Sequence, residues 1–410
     1  MQENASQEGE SPENAVPMTP EPPAMAEPSP ALPQPEFHRF SFSGKAGEYF
    51  AIWIVNLFLS IITLGIYSAW AKVRKKRYFY GHTWVADANF EYHGNPIAIL
   101  KGRIIAFIAF ATYSGVGHFM PKVAAALAVA LFIAAPWFIA RSMAFNAWNS
   151  SYRNIRFRFH ATYMDVLRCI APIALVLVFP FLMPDWDPAS KEPPPTSFWV
   201  VLVMQMIAAF AVYPYIVGSL KRLHVNHSAY GAAPFATRAT VGAFYGIYLL
   251  TLGLMILVGI VFSAIFGAVA GLVGMTGETP SASVAIISII LLPLVIFGVY
   301  FGMGSLLIAF TKSRIGNLVF NQSSLDGRIY FVSTLKARQL FRLYFTNLLA
   351  ILFSLGLAIP WATIRVMRYR AECLSLNSET SLDELIAGIG ANVGATGEEL
   401  GEFFNIDLSL

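Results

Sequence analysis

The sequence predicts an all-α integral membrane protein, a polytopic helical bundle, with short β-hairpins on its cytoplasmic face. Hydrophobic residues make up 56% of the 410 residues, charged residues make up only 13%, and the mean hydropathy is +0.57. The charged share is about half of that usual in soluble domains. A soluble protein of this size cannot bury so much apolar surface, so lipid is expected to surround most of the chain.

The charge distribution divides the chain into three parts. The first 40 residues contain nine prolines and seven glutamates, so we predict a disordered tail over 1–36. Residues 37–370 form the predicted membrane domain, and its stretch 41–370 carries 27 basic and nine acidic residues. Residues 371–410 hold eight acidic residues and no lysine or arginine, which predicts an acidic C-terminal tail.

Part of the acidic tail has a helical pattern. Ser381 precedes Glu384 by three positions, the spacing of a capping box, and apolar residues follow at helical intervals. One interpretation is a frayed amphipathic helix. The other is that the tail docks on the basic surface of the protein and competes there with another acidic ligand.

Eight apolar runs approach the length of about 20 residues that a bilayer-crossing helix needs. Basic clusters at 72–77, 141–168, 221–238, 312–342 and 365–370 alternate with short or acidic loops. The positive-inside rule then predicts three helical hairpins whose tips lie outside the cell and whose ends lie in the cytoplasm. The runs are 50–70, 104–120, 123–140, 166–183, 198–220, 243–273, 284–310 and 343–364.

The first and last runs do not fit this alternation, because both of their flanks resemble cytoplasmic segments. Either they cross the membrane and leave the termini outside, or they enter and leave by the same face. The basic flanks favour the second alternative, which requires that any non-helical backbone be buried in protein or face water.

The same two runs resemble each other. When 50–77 is aligned without gaps to 341–368, nine of the 28 positions are identical, among them an Asn, a Gly, a Trp and two Arg. Hydrophobic bias alone does not align these residue types, so we predict an internal repeat.

A shorter motif alternates large apolar and polar residues and therefore predicts β-strands. We expect these strands to form hairpins that pair into a small cytoplasmic sheet. The motif occurs as Phe40-x-Phe42-x-Gly44, Phe90-x-Tyr92-x-Gly94, Phe157-x-Phe159-x-Ala161 and Ile329-x-Phe331-x-Ser333, with a fainter copy around Phe235.

Two stretches carry a family resemblance. The sequences YFAIWIVNLFLSIITLGIYSAWAKVRKKRY (49–78) and SSLDGRIYFVSTL (323–335) resemble the YjgN-like family of bacterial inner-membrane proteins, a domain of unknown function. The resemblance implies a multi-pass protein of the bacterial inner membrane. It implies no chemistry and no site residues.

Polar residues within apolar runs indicate a candidate site. Asn56 and Asn347 occupy equivalent repeat positions, and Gly65 and Gly356 behind them could break their helices. Paired broken helices with polar groups at mid-membrane are typical of transporter sites. We therefore predict transport of a small solute or ion through a site between the terminal segments. The alternative for each Asn is a structural interhelical hydrogen bond.

A dense basic cluster stands beside the first run and indicates a second candidate function. Such clusters attract anionic headgroups, although setting the topology would also explain them. This observation supports the alternative of a non-transporting scaffold that binds anionic phospholipids through a basic cytoplasmic face. The cluster consists of Lys72, Arg74, Lys75, Lys76 and Arg77.

No motif predicts catalysis, so we do not expect an enzyme. The histidine spacings match no zinc pattern, and the two cysteines, Cys169 and Cys373, are far apart in sequence. We expect no metal, no cofactor and no nucleic-acid partner, because the basic residues are interleaved with apolar runs. The sequence leaves the oligomeric state open.

Overall fold

The computed structural model describes residues 36–187, 192–275, 282–379, 381–384 and 386–390, without the side chains at 118, 121, 265, 266 and 268–296. The predicted disordered tail therefore lies outside the described residues except for its last residue, and so does the acidic tail from residue 391 onward.

Eleven strands of the described chain form one antiparallel sheet. They occupy β1 Glu36–Arg39, β2 Ser41–Phe42, β3 Thr83–Val85, β4 Ala88–Tyr92, β5 Ser150–Tyr152, β6 Ile155–Phe159, β7 Ser228–Tyr230, β8 Ala233–Thr237, β9 Ser323–Leu325, β10 Ile329–Ser333 and β11 Leu374–Ser378.

The sheet curls into a nearly closed barrel, because its two outermost strands are consecutive in the chain. The strand order is β1-β11-β10-β9-β8-β7-β6-β5-β4-β3-β2. β1 pairs with β11, β2 pairs with β3, and only Phe40 separates β1 from β2. The Phe40 amide itself donates a hydrogen bond to the Leu374 carbonyl (3.0 Å). Residues 36–42 thus close the ring and leave few strand edges exposed.

Tight turns join the two strands of four hairpins. Positive φ angles occur at Asp87 (58°), Asn154 (63°), Gly231 (59°) and Gly327 (67°). Asp, Asn and Gly tolerate this left-handed conformation better than other residues, and its twist suits two-residue hairpin loops. The turn residues of the sequence therefore set the register of each hairpin locally.

Eleven α-helices of the described chain connect the strands. They are α1 Ala46–Ile62, α2 Ser68–Gly81, α3 Pro96–Phe119, α4 Pro121–Trp148, α5 Tyr163–Ile170, α6 Ile173–Leu177, α7 Thr196–Asn226, α8 Val241–Met275, α9 Ala282–Asn321, α10 Ala337–Phe353 and α11 Ile359–Glu372, with a 3₁₀ turn at Phe179–Leu182.

The helices form five hairpins that all leave and rejoin the barrel on one side. Each helical hairpin connects two strands that pair with each other in the sheet. The hairpin α1–α2, for example, connects β2 to β3. The others are α3–α4, α5 to α7, α8–α9 and α10–α11. Successive hairpins pack against each other, and α11 packs against α1. A ring of helices therefore stands on the end of the barrel opposite to the tight turns.

The predicted fold class is wrong. We expected a helical bundle decorated with short hairpins, whereas the hairpins join into an eleven-stranded, nearly closed barrel. Each strand has only two to five residues, so its local pattern is weak. The pairing that closes the barrel joins strands at opposite ends of the domain, which no local pattern reports. We correctly expected the β-hairpins to pair with one another. The sheet that they form is larger than the small sheet that we predicted.

The barrel interior is apolar at the end that carries the turns. Residues next to the turns point inward from strands around the ring, among them Val85, Ile155 and Leu325. The Tyr152 hydroxyl donates to the Val85 carbonyl (2.7 Å), and the Tyr230 hydroxyl donates to the Tyr152 carbonyl (2.9 Å). Burial raises the pKa of both tyrosines, so they remain neutral donors.

Deeper in the barrel lies a ring of five phenylalanines, one from each repeat of the strand motif. Neighbouring rings stack with centroids 6.1 to 6.4 Å apart. Phe331 occupies the place of Phe40, so the predicted alignment of the fourth motif copy, which matched Ile329 to Phe40, is off by two residues. The ring consists of Phe40, Phe90, Phe157, Phe235 and Phe331.

The described helices differ in their capacity to cross a membrane. Four are long and apolar enough: 96–117, 122–148, 196–226 and 241–264. The run predicted at 166–183 is a pair of shorter helical pieces bent by 47°. In the run 284–310, the side chains of 284–296 lie outside the description. The remaining two hairpins, α1–α2 and α10–α11, are built from helices of 14 and 17 residues.

Candidate functional site

The two asparagines predicted as a site lie on different helices of the two short hairpins. Asn56 on α1 and Asn347 on α10 are both buried, with 8% and 5% of their surface exposed. α1 packs against α2 and α11, whereas α10 packs against α9 and α11. The helices α1 and α10 therefore both pack against α11. In the part of the chain that the structure describes, the two asparagines themselves do not line a common cavity.

Both polar atoms of the Asn347 side chain have a hydrogen-bond partner. Its amide donates to the Ala362 carbonyl (3.2 Å), and its oxygen accepts from the Arg365 guanidinium (3.2 Å). Arg365 also donates to the Thr346 hydroxyl (2.9 Å). This is the interhelical hydrogen bond that we considered as the structural alternative, with a cation added to it.

The environment of Asn56 is different. Its side-chain oxygen is buried and has no hydrogen-bond partner among the described residues. An unpaired buried oxygen is costly, by about 1–3 kcal/mol, so it is a place where a donor from outside the chain would be favourable. The repeat therefore preserves the position of the asparagine but not its chemistry.

The glycines of the predicted site form the tips of the two short hairpins. Gly65 (φ +90°) and Gly356 (φ +93°) follow Leu64 (φ 49°) and Leu355 (φ 51°), so the two breaks have the same backbone conformation. Both leucines are 94% exposed. Each hairpin thus presents an apolar tip at its far end and returns to the barrel.

A groove of about 720 Å³ lies between α9, α10 and α11. Its walls are mainly apolar, with Leu307, Leu348 and Ile351 among them, and Asn347 forms part of its lining. Asn56 does not contribute to it. The groove was not predicted from the sequence, because its walls come from three helices that are individually unremarkable.

The groove is polar at its barrel end. Lys312 and Arg370 lie there, each near the end of its helix that joins the sheet, and the Lys312 ammonium stands 5.7 Å from the centre of the Tyr344 ring. None of its described lining residues is acidic. Tyr300 lines the opposite end, about 18 Å farther along α9 by the helical rise of 1.5 Å per residue. Lys312 belongs to the basic cluster 312–342 and Arg370 to the basic cluster 365–370. These clusters were the only features of the sequence that pointed to the groove.

The predicted headgroup-binding cluster lies on α2. Lys72, Arg74, Lys75 and Arg77 are exposed. Lys76 is half-buried: it donates to the Asn146 side-chain oxygen and stands 4.5 Å from the centre of the Tyr92 ring. Burial, with a smaller contribution from Lys72, lowers the pKa of Lys76. Four of the five cations are therefore available to a surface, and Lys76 has a structural role.

A family model described as bacterial protein of unknown function (DUF898) matches residues 37–403. The chain belongs to this family. The predicted resemblance to the YjgN-like family is confirmed by curated relatives that are called inner membrane protein YjgN. The relative from Salmonella typhimurium LT2 is 30% identical over 148 residues, covering 34% of this chain and 38% of its own.

Two Escherichia coli relatives of the same name also match. The O157:H7 protein is 26% identical over 208 residues, covering 50% of this chain and 44% of its own, and the K12 protein is 34% identical over 128 residues, covering 30% and 32%. The matched part therefore spans less than half the length of each DUF898 relative. No solved structure matches the chain. The predicted inner-membrane location is confirmed by these relatives and by the apolar helices of this family member.

Proposed function

We propose that the protein binds one anionic amphiphile, such as a phospholipid, in the groove between α9, α10 and α11. The observation that carries this proposal is the separation of charge and apolar surface along the groove. Lys312 and Arg370 stand at the barrel end, and apolar side chains continue for about 18 Å toward Tyr300. A headgroup at the cations would place an acyl chain along the apolar walls.

The energetics favour an anionic headgroup. A basic residue near a membrane surface attracts an anionic lipid by about 1 kcal/mol, and burial of acyl carbon contributes about 0.8 kcal/mol per CH₂ relative to water. Since lipid tails are already out of water in the bilayer, the cations supply the preference for this lipid over its neighbours. The groove then holds a lipid by charge and shape together.

The proposed membrane arrangement follows from the same charges. The basic clusters lie at helix ends next to the barrel, so the positive-inside rule places the barrel in the cytoplasm. The longer hairpins then cross the inner membrane more than once, and α1–α2 and α10–α11 dip into the inner leaflet. Lys312 and Arg370 would lie at headgroup level of that leaflet.

Lipid binding is measured by native mass spectrometry of the full-length protein with phosphatidylglycerol and phosphatidylcholine. Replacing both cations, Lys312→Gln with Arg370→Gln, removes about 2 kcal/mol of attraction, so the preference for phosphatidylglycerol should fall roughly thirtyfold. The matched control, Lys72→Gln with Lys75→Gln, neutralises two exposed residues of α2 and should change the preference little. An equal loss in both pairs would contradict the groove and favour the basic scaffold.

A variant that changes only shape separates the groove from general charge effects. Gly304 lines the groove, and a Cβ built there meets nothing within 4 Å. Gly304→Leu should therefore fold, fill the groove and reduce the binding of both lipids. Unchanged binding in this variant and in the charge variant would show that the groove is not the site.

Transport of a small solute or ion is the second candidate, and the unpaired oxygen of Asn56 favours it. A donor group on a solute would satisfy this oxygen during passage. Asn56→Leu together with Asn347→Leu should abolish uptake in proteoliposomes while the protein still inserts. Under the lipid proposal Asn56→Leu alone would be dispensable for lipid binding, because Asn56 does not line the groove. The single variant therefore distinguishes the candidates: it should impair uptake under the transport candidate and leave lipid binding unchanged under the lipid proposal.

A further inference from the structure

We propose that residues 381–384 and 386–390 form a removable plug that closes the barrel at the end away from the helices. The barrel would then be a binding site for an amphipathic, acidic helix, which the chain occupies with its own tail. The proposal is independent of the lipid groove. It develops the hypothesis that the acidic tail docks on the protein and identifies the docking site.

The apolar contacts of the plug lie inside the barrel. Leu382, Ile386 and Ile389 are buried, and they pack in one cluster with the inward-facing residues next to the turns, such as Val85 and Tyr152. The cluster draws on strands around the whole ring. Since the sheet is nearly closed and these cluster residues lie next to the turns, apolar side chains that join the cluster lie at the mouth of the barrel. Residues 382–384 and 386–390 are helical, and the three apolar side chains belong to the same cluster.

Two polar contacts fasten the plug at its rim. Arg153, at the tip of the β5–β6 turn, forms an ion pair and a hydrogen bond with Asp383, and it also donates to the Ala86 carbonyl (2.7 Å). The Leu382 amide donates to the Glu36 carboxylate (3.2 Å). The Asp383 side chain is 79% exposed, so this contact can open without disturbing the core.

An aromatic surface lies behind the plug. The five phenylalanines of the ring are only partly buried, and they pack against the cluster that the plug joins. Removal of the plug would expose this aromatic surface to the side of the barrel that carries the turns. The plug follows β11 and adds no strand to the described sheet, so it can leave without breaking strand pairs.

The test uses a buried thiol in the full-length chain. Ala233→Cys places the thiol among the residues that the plug covers, in a background with Cys169 and Cys373 replaced by Ser. We expect slow labelling by a water-soluble maleimide with the native plug. Arg153→Glu opposes Asp383 with a like charge and should raise the labelling rate at least tenfold. Adding Asp383→Arg restores an ion pair of reversed polarity and should return the rate to near its original value.

Matched variants make the outcome decisive. Arg156→Glu changes an exposed arginine of the same hairpin that does not contact the plug and should not raise the rate. Ile386→Asp should raise it through the apolar contact, even if the ion pair contributes little. The proposal is wrong if neither Arg153→Glu nor Ile386→Asp raises the rate. It is also wrong if the charge reversal fails to rescue Arg153→Glu, because the increase would then report a loosened hairpin.

Discussion

Glu36 lies opposite Ser378 in the antiparallel ladder between β1 and β11. The strands that come first and last along the chain are therefore neighbours in the sheet. This pair closes the barrel and brings the start of the membrane domain beside its acidic tail. The carboxylate of Glu36 accepts from the Leu382 amide immediately beyond β11. Closure of the fold and docking of the tail therefore use the same residues.

The closing strand should contribute strongly to stability. Leu376 in β11 is buried between the strands that flank the closure, and Leu→Ala changes in such cores cost about 2–5 kcal/mol. We expect Leu376→Ala to lower the free energy of unfolding in detergent by about 3 kcal/mol. Asn377→Ala on the exposed face of the same strand is the control. Equal, small effects of both would indicate that β11 is not part of the core.

The tips of the short hairpins should depend on glycine. Gly65 and Gly356 have φ near +90°, where a Cβ is strained, so alanine at either position should cost about 1–2 kcal/mol. Gly47→Ala in the first turn of α1 is the control, since its Cβ meets nothing within 4 Å and alanine favours the helix. Thermal unfolding should therefore shift downward for the two tips and not for Gly47.

The membrane position of these tips can be measured by labelling in intact and in permeabilised cells. Cysteines at Leu64 and Leu355 should stay unreactive toward a water-soluble maleimide in both, because re-entrant tips end in lipid. A cysteine at the exposed turn residue Asp87 should react only after permeabilisation, since the barrel is proposed to be cytoplasmic. Labelling of the tips in intact cells would show that the first and last runs cross the membrane.

Acid should release the tail. A hydrogen bond from Arg153 lowers the pKa of Asp383, and a hydrogen bond with His38, followed by the Leu382 amide, lowers that of Glu36. Carboxyl groups with lowered pKa values stabilise the docked state at neutral pH and lose this effect as the pH falls through those lowered values.

A nitroxide at Gly388→Cys reports this release, because Gly388 is exposed and has room for a side chain. Its spectrum should show a mobile component that is small at pH 7 and grows as the pH falls through the lowered pKa values of the two carboxyl groups. The same label in the Arg153→Glu variant should be mobile already at pH 7. A spectrum that does not change with pH would show that these carboxylates do not hold the tail.

Local patterns in the sequence predicted several features correctly. Apolar composition indicated the membrane, the alternating strand motif indicated hairpins, and the repeat aligned Gly65 with Gly356, which share one backbone conformation. Each of these depends on residues that are near one another in the chain. Periodicity and turn chemistry act over such distances, so the sequence is sufficient to predict them.

The tertiary structure decided what those elements build. Short strands pair only when distant segments meet, so neither the closure of Glu36 against Ser378 nor the ring of phenylalanines was apparent from any one strand. The same holds for the groove of Lys312 and Arg370 and for the contact of Arg153 with Asp383. The sequence by itself determined the location, the helices and the turns, because these follow from local composition and backbone preference. The barrel, the groove and the docked tail depend on long-range pairing, which only the folded chain specifies.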